Sequence, residues 1–539
     1  MTSNTITLSE KIVDDHMVEA VEDVSFNQKG PTVEPSSGNT NATLKDIWTH
    51  RRVLLWCILI YLLPINFGYE AGMVGNLLAV DSFLLRFGHA LPSGQLEIAA
   101  SSQQILNAGT TIGIFCSAFG TGFLSDIFGR RAVVLVACVI CLAGTLVQYY
   151  STTIMMLFGG KLIATFGFGL GHSLGPVFVA ELAPTVLRGT CLSLVNTMIV
   201  IGQWTSSLCV YGSSGLSGDA SWRVPVITQV IPPCILLLLG MPLLPESPSW
   251  LLMKGRREQA IKSFKTFNGQ DFDAERAVQT LEYTLETEKA MAAEGSSYLE
   301  CFKGTNLRRT TIICMIYIAQ QFIGVNFIAG YLPYYFTLAG VQNALAIAQV
   351  AYAIQLFGNL CSWSLIDRYG RRTLIVYGTI VMTVSLLVIG GISTINSSNC
   401  LKATVALMCI WGFIYQATLG PAAYAVGGET STPRLRQKTY AINIMSATAV
   451  SCMVLQVMPF LINPGNANLG GKITLVFFFP PSVLVCIYLY FCFPEMKGRT
   501  YLELEEMFQA RVPSRKFKSY VCQSTTMESD ERSAGENIA

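Results

Sequence analysis

Long apolar runs alternate with short polar breaks from about residue 53 to about residue 493. Runs of spanning length fall at 53–74, 102–124, 132–150, 155–177, 190–212 and 223–244. After a polar interval they resume at 310–330, 345–365, 373–393, 403–425, 438–461 and 473–493. A helix rising about 1.5 Å per residue needs about 20 apolar residues to cross a bilayer, so each run is long enough. The pattern predicts an all-α polytopic membrane protein with twelve transmembrane helices. Glycine and proline inside the runs are compatible with this, because neighbouring helices can satisfy the backbone groups they free.

The polar segments divide the chain. Residues 1–47 have no apolar core behind Met1 and read as a disordered cytoplasmic tail, not a cleaved signal. Residues 48–244 hold the first six runs. Residues 245–309 are polar and helix-prone. Apolar positions in RREQAIKSF and DAERAVQTLEYTLETEKAMAAE recur every three to four residues, as expected of short amphipathic helices beneath a membrane. Residues 310–493 hold the second six runs. Residues 494–539 open with an acidic helix, LELEEMF, and continue as a polar, disordered cytoplasmic tail.

The two sets of six are related. The segment LSDIFGRR (124–131) matches LIDRYGRR (365–372). Glu181 and Arg188 are spaced like Glu429 and Arg436, and Pro245-Glu246 matches Pro494-Glu495. The order and nearly constant offset point to duplication, hence two six-helix bundles related by pseudo-symmetry. Such bundles can rock about a site between them. The acid–arginine sets (Asp126, Arg130, Arg131, Glu181, Arg188 and Glu246; Asp367, Arg371, Arg372, Glu429, Arg436 and Glu495) all fall at helix ends on one face. There they are expected to act as a gate, pairing between neighbouring helices to hold that mouth shut in one state.

Charge sets the orientation. Lys and Arg concentrate in the breaks holding Arg130, Arg188, Lys254 to Arg309, Arg368 to Arg372 and Arg434 to Lys438. Retention of these on the cytoplasmic side places both termini inside. The sequon at Asn396 then lies on an outer loop, where it could be glycosylated. Composition agrees: 51% of the 539 residues are hydrophobic and 13% charged, against about 25% charged in soluble domains. A net charge of +2 without a basic aromatic patch gives no sign of nucleic-acid binding. The 16 cysteines sit in apolar runs and read as small hydrophobes, the Cys138/Cys141 pair included. The four histidines have no metal-ligand spacing. No metal, no cofactor and no nucleophile–base set is expected.

Polar residues inside the runs carry the candidate chemistry. Glu70 is a carboxylate in the first run, where an unpartnered charge costs on the order of 2.5 kcal/mol or more. Lys161, about six residues into the fourth run, lies at similar depth. Amides occur at Gln203, Gln320, Gln321, Asn326, Gln355 and Gln416. Gln320 and Asn326 could serve one cavity if their helix bends at Gly324. Interhelical hydrogen bonding is the alternative use of each amide.

With FGYEAG (67–72), SDIFGRR (125–131), the ELAPTVLRG block (181–189), PESPSW (245–250), QQFIGVN (320–326), IDRYGRR (366–372), GGETSTPRLR (427–436) and PEMKGRT (494–500), the chain resembles the sugar porters of the major facilitator superfamily from about 45 to 510. The resemblance implies a plasma-membrane carrier of a small neutral hydroxylated cargo, working as a functional monomer by alternating access. It implies sugar contacts for Gln203, Gln320, Gln321, Asn326 and Gln355, with Gln416 and Tyr424 at the same pocket. Gln355 stands where many hexose carriers have Asn, Tyr424 where Trp is common, and PESPSW lacks the Arg usual after PESP. Proton-coupled members are similar in having an acid and a cation at the positions of Glu70 and Lys161, there Asp and Arg. The resemblance therefore implies proton symport of a hexose, pentose or α-glucoside. A proton-independent facilitator of sugar, polyol or quinate-like cargo, and a non-transporting sugar sensor, are the alternatives.

Overall fold

The computed structural model describes residues 50–522 apart from 93, 184–186, 292–297, 396, 432–434, 498 and 500. The side chains of Arg188, Asp367, Glu429 and Arg436 also lie outside the description, as do Asn396 and both chain ends. Among the described residues the helices group into twelve spans. Span 1 is broken into Arg51–Ile60 and Leu62–Leu77, which meet at 42°. Spans 2 to 6 are Ala100–Phe128, Arg130–Tyr149, Ile154–Leu182, Arg188–Ser213, and Ala220–Thr228 continued by Ile231–Leu243. Span 7 is Gly304–Phe322 followed by the short pieces Val325–Ile328 and Leu332–Leu338. Spans 8 to 12 are Ala344–Tyr369, Arg371–Ile392, Ser398–Ala417 with Leu419–Thr430, Arg436–Ile462, and the stretch ending in Phe479–Cys492.

Among the described residues, nine helices are long and apolar enough to cross a membrane, ten if the bent pair of span 1 is one crossing. Spans 5 and 7 fall short of that test. Span 5 carries the polar residues Asn196, Thr197, Gln203, Thr205 and Ser206, and span 7 carries Arg308 and Arg309 near its start and is interrupted at Gly324.

Helix breaks are compensated by side chains. Pro225 has no N–H for the Ser221 carbonyl one turn back, and the Ser213 hydroxyl donates to that carbonyl at 2.7 Å. Pro459 likewise frees the Leu455 carbonyl, which accepts from Asn107 Nδ2 at 3.1 Å. That bond joins span 11 to span 2, so the missing backbone bond becomes a tie between the two sets of six.

The sequence repeat has a structural counterpart. Gly129 and Gly370 adopt φ of 91° and 86°, a left-handed conformation favouring glycine, and turn the chain from span 2 into 3 and from span 8 into 9. Glu246 Oε1 accepts from the Arg130 N–H at 2.8 Å, and both its carboxylate oxygens accept from Arg131 N–H at 3.2 Å. Glu495 accepts from the N–H groups of Arg371 and Arg372 at 3.1 Å. Both acids thus cap a helix N-terminus, where orphan donors and the helix dipole favour an anion.

Between spans 6 and 7 lie Pro248–Met253, Arg257–Asn268, Ala274–Met291 and a single turn at Tyr298–Phe302. They pack on the face where span 2 ends: Trp250 Nε1 donates to the Asp126 carbonyl at 3.1 Å. This linker side and the opposite far side are distinguished below. Beyond span 12, Tyr501–Gln509 was expected as a helix, but the following residues were expected to be disordered. Through Cys522 they are instead packed, with Phe517 fully buried against Phe508 of that helix. Arg499 holds this segment through the Phe517 and Tyr520 carbonyls at 3.1 and 2.6 Å.

Candidate functional site

A cavity of about 200 Å³ lies between the two sets of six, with walls from both. Span 1 contributes Phe67, Glu70, Ala71 and Val74; span 5 contributes Asn196, Ile199 and Gln203; span 7 contributes Tyr317, Gln320, Gln321 and Asn326; span 10 contributes Tyr415, Gln416 and Tyr424. Gly324, with φ +93°, ends the first helix of span 7 and lets Asn326 fold back beside Gln321. Asn326 Nδ2 donates to Gln321 Oε1 at 2.8 Å and to Ser451 Oγ at 3.0 Å. Gln320 Nε2 reaches the Leu419 carbonyl only at 3.5 Å, and Gln203 Oε1 is buried without a partner among the described residues. The last two retain hydrogen-bonding capacity toward the cavity.

On the linker side of these amides, the two sets are tied through two acceptors, Gln416 Oε1 and Asn359 Oδ1. Gln416 Oε1 accepts from Asn196 Nδ2 at 2.7 Å and from Asn359 Nδ2 at 3.4 Å, while Thr197 Oγ1 donates to Asn359 Oδ1 at 2.5 Å. Toward the far side the sets are joined more extensively. Gln103 Nε2 donates to Asn463 Oδ1 at 3.0 Å, Gln104 and Gln456 donate to each other's carbonyls at 2.7 and 3.0 Å, and Asn107 Nδ2 donates to Tyr331 OH at 2.8 Å. Gly75 and Gly330 meet there so closely that a Cβ on Gly75 would collide with the Gly330 carbonyl. The far side is closed.

Glu70 and Lys161 form an ion pair across spans 1 and 4, with Lys161 Nζ donating to Glu70 Oε1. Both side chains are 3% exposed or less. The other carboxylate oxygen of Glu70 has no partner among the described residues, and Glu70 lines the cavity while Lys161 stands behind it. The carboxylate thus has one oxygen on a cation and stands in the wall of a polar cavity.

One expectation differs from the structure. Gln355 does not line the cavity. It is buried between spans 8 and 10, where the missing side chain of Gly412 makes room: a Cβ there would meet Gln355 Cγ at 2.9 Å. Its depth is right, but its helix face is turned away. Among the described side chains of the acid–arginine sets, the expected pairing between neighbouring helices is seen at Arg130. Arg130 pairs with Glu181 at 3.0 Å and Asp126 at 3.6 Å, and Ser247 Oγ donates to Glu181. Arg131 donates to the Met241 carbonyl, and Arg372 to that of Tyr490 at 2.8 Å. All of these stay within one set of six. Among the described side chains they brace the linker-side ends of each set, and Glu246 and Glu495 serve the backbone. Burial pushes the Glu246 carboxyl above its ordinary value, against the N–H groups of Ser247, Arg131 and Arg130, which favour the charged form. Arg188, Asp367, Glu429 and Arg436 lie outside the described side chains, and Asn396 outside the described residues.

Sequence reasoning missed Asn196, His172, Tyr317, Tyr331 and Ser451. The signal for Asn196 was present: it precedes Gln203 by two helical turns on the same face. His172 follows Lys161 by three turns, which also returns it to the same face.

Two six-span sets meeting at an amide-lined cavity, with a buried acid–amine pair in its wall, define a membrane carrier and not an enzyme. The chain belongs to the family described as "Sugar (and other) transporter", whose model matches residues 56–508. It is 28% identical over 498 residues to the general alpha-glucoside permease of Saccharomyces cerevisiae, covering 90% of this chain and 80% of that one. It is 28% identical over 462 residues to the major facilitator-type transporter ecdD of Aspergillus rugulosus, covering 82% and 85%. Its fold matches the proton:xylose symporter XylE bound to 6-bromo-6-deoxy-D-glucose with a TM-score of 0.71, at 23% identity over 86% of this chain and 99% of that one. A partially occluded inward-open form of XylE from E. coli matches with a TM-score of 0.69, at 20% identity over 84% and 100%.

Proposed function

We propose that this transporter carries a sugar across the membrane together with a proton, by alternating access between bundles spanning 48–244 and 310–493. The observation that carries this reading is the cavity wall itself. Gln203, Gln320, Gln321, Asn326 and Gln416 converge from both sets of six on one space, and Glu70 of the buried ion pair faces the same space. A sugar is neutral and covered with hydroxyls, and each hydroxyl must exchange water for a donor or acceptor. Uncharged amides supply both. Tyr317, Tyr415 and Tyr424 add aromatic faces for the C–H side of a pyranose ring.

Protonation of Glu70 breaks its pair with Lys161 and frees spans 1 and 4 to shift against one another. Deprotonation restores the pair. Coupling arises because the carboxyl exchanges protons with whichever side the cavity faces, and cargo binding changes which side that is. Its likeness to an alpha-glucoside permease and to a proton:xylose symporter supports this reading. Both termini and the linker lie on the cytoplasmic side under it, in the plasma membrane, with the monomer as the working unit.

The test is uptake of a labelled glucoside and of labelled xylose in a transport-deficient host, with and without an uncoupler. Accumulation that collapses with the proton gradient is expected. Uptake that proceeds unchanged at zero gradient would remove the proton from the scheme, and no uptake of any sugar would remove the cargo.

A further inference from the structure

His172 lies in span 4, three turns beyond Lys161, and lines the cavity. Its ring stacks on Phe67 of span 1 with centroids 4.1 Å apart and planes within 2°. The edge of Tyr424, from the second set of six, stands 6.2 Å away at 85°. The imidazole is 5% exposed and makes no hydrogen bond to any described residue; its Nδ1 is buried without a partner. A buried polar group left unpaired is costly and rare. A packing role would be served as well by Phe, which would keep the stack on Phe67.

We propose that His172 is a specificity-determining contact for the cargo. A neutral imidazole carries one donor nitrogen and one acceptor nitrogen pointing in diverging directions, so a cargo hydroxyl pairs with one of them. The stack on Phe67 fixes the plane of the ring, so the edge is presented in one direction and at low entropic cost. Tyr424 brings a ring from the second set of six beside His172, so residues of both sets flank this part of the cavity. The inference deepens the sugar-carrier reading and rests on it.

The experiment uses the full chain in a transport-deficient host and a labelled sugar that the parent protein carries. The monodeoxy analogues of that sugar serve as competitors, against the parent, His172→Phe and His172→Gln. In the parent, one analogue should compete about 2–13-fold less well than the intact sugar, the range of a neutral hydrogen bond. In His172→Phe that difference should vanish, the half-saturation concentration for the intact sugar should rise by the same factor, and the other analogues should keep their order. His172→Gln, which retains a donor and an acceptor, should restore part of the discrimination. An unchanged order of all analogues in both variants overturns the inference while leaving the carrier reading intact. If the variants only lower the amount of protein or the maximal rate, His172 is structural and the inference fails. A parent protein that carries no sugar defeats the underlying reading first, and this inference with it.

Discussion

Replacing Glu70 by Gln tests the proposed coupling at its origin. The amide keeps the shape of the carboxyl and can still contact Lys161, but it cannot cycle between charged and neutral forms. A membrane potential of about 100 mV is worth about 2.3 kcal/mol per elementary charge. At about 1.4 kcal/mol per tenfold, one proton per cargo sustains a gradient of roughly 50-fold across the membrane. The parent protein in vesicles with that potential imposed should approach such accumulation, and Glu70→Gln should stop near equal concentrations. Exchange of labelled for unlabelled cargo, which needs no net proton movement, should persist. The structure adds a stability consequence. Both partners of the pair are buried, so removing one charge strands the other, at about 3–5 kcal/mol. That stranded charge lowers the stability of the fold. The double substitution Glu70→Gln with Lys161→Met removes the stranded charge and should unfold at a higher temperature than the single variant, while accumulation stays lost. Equal uphill accumulation by Glu70→Gln and the parent protein would refute the reasoning.

Other positions separate binding, fold and conformational state. Gln320→Ala should weaken cargo binding by about 1–3 kcal/mol, the cost of leaving polar groups unpaired, read as a higher half-saturation concentration; Gln355→Ala, outside the cavity wall, should change it far less. Glu246→Ala and Glu495→Ala should each cost about 0.5–2 kcal/mol of stability through loss of a helix cap. Because the two caps serve different sets of six, their effects on thermal unfolding in detergent should add. Gly75→Leu should leave a folded protein whose far side cannot close, because the new side chain occupies the place of the Gly330 carbonyl. Uptake should then fall, and a thiol reagent should reach a cysteine placed in the cavity from the far side at all times; wild-type uptake by this variant would show that the approach of Gly75 to Gly330 is not required for transport.

The chain by itself determined a good deal. Twelve spans, their grouping into related sets of six and the helical linker are written in apolar runs and in the repeated LSDIFGRR and LIDRYGRR segments, because a bilayer leaves few other solutions for such runs. It also placed Glu70 and Lys161 at similar depth, since depth is counted in residues from a span's end at about 1.5 Å each. What it could not determine was which face of each helix meets which neighbour. Gln355 and Asn196 are both mid-span amides, yet only Asn196 reaches the cavity wall, because facing depends on how helices remote in sequence tilt and cross. Glu246 and Glu495 looked like gate charges and became helix caps, since the donors they meet belong to backbone more than a hundred residues away. His172 was silent for the same reason: its meaning lies in Phe67 and Tyr424, brought to it only by the packing of spans 1 and 10 around span 4.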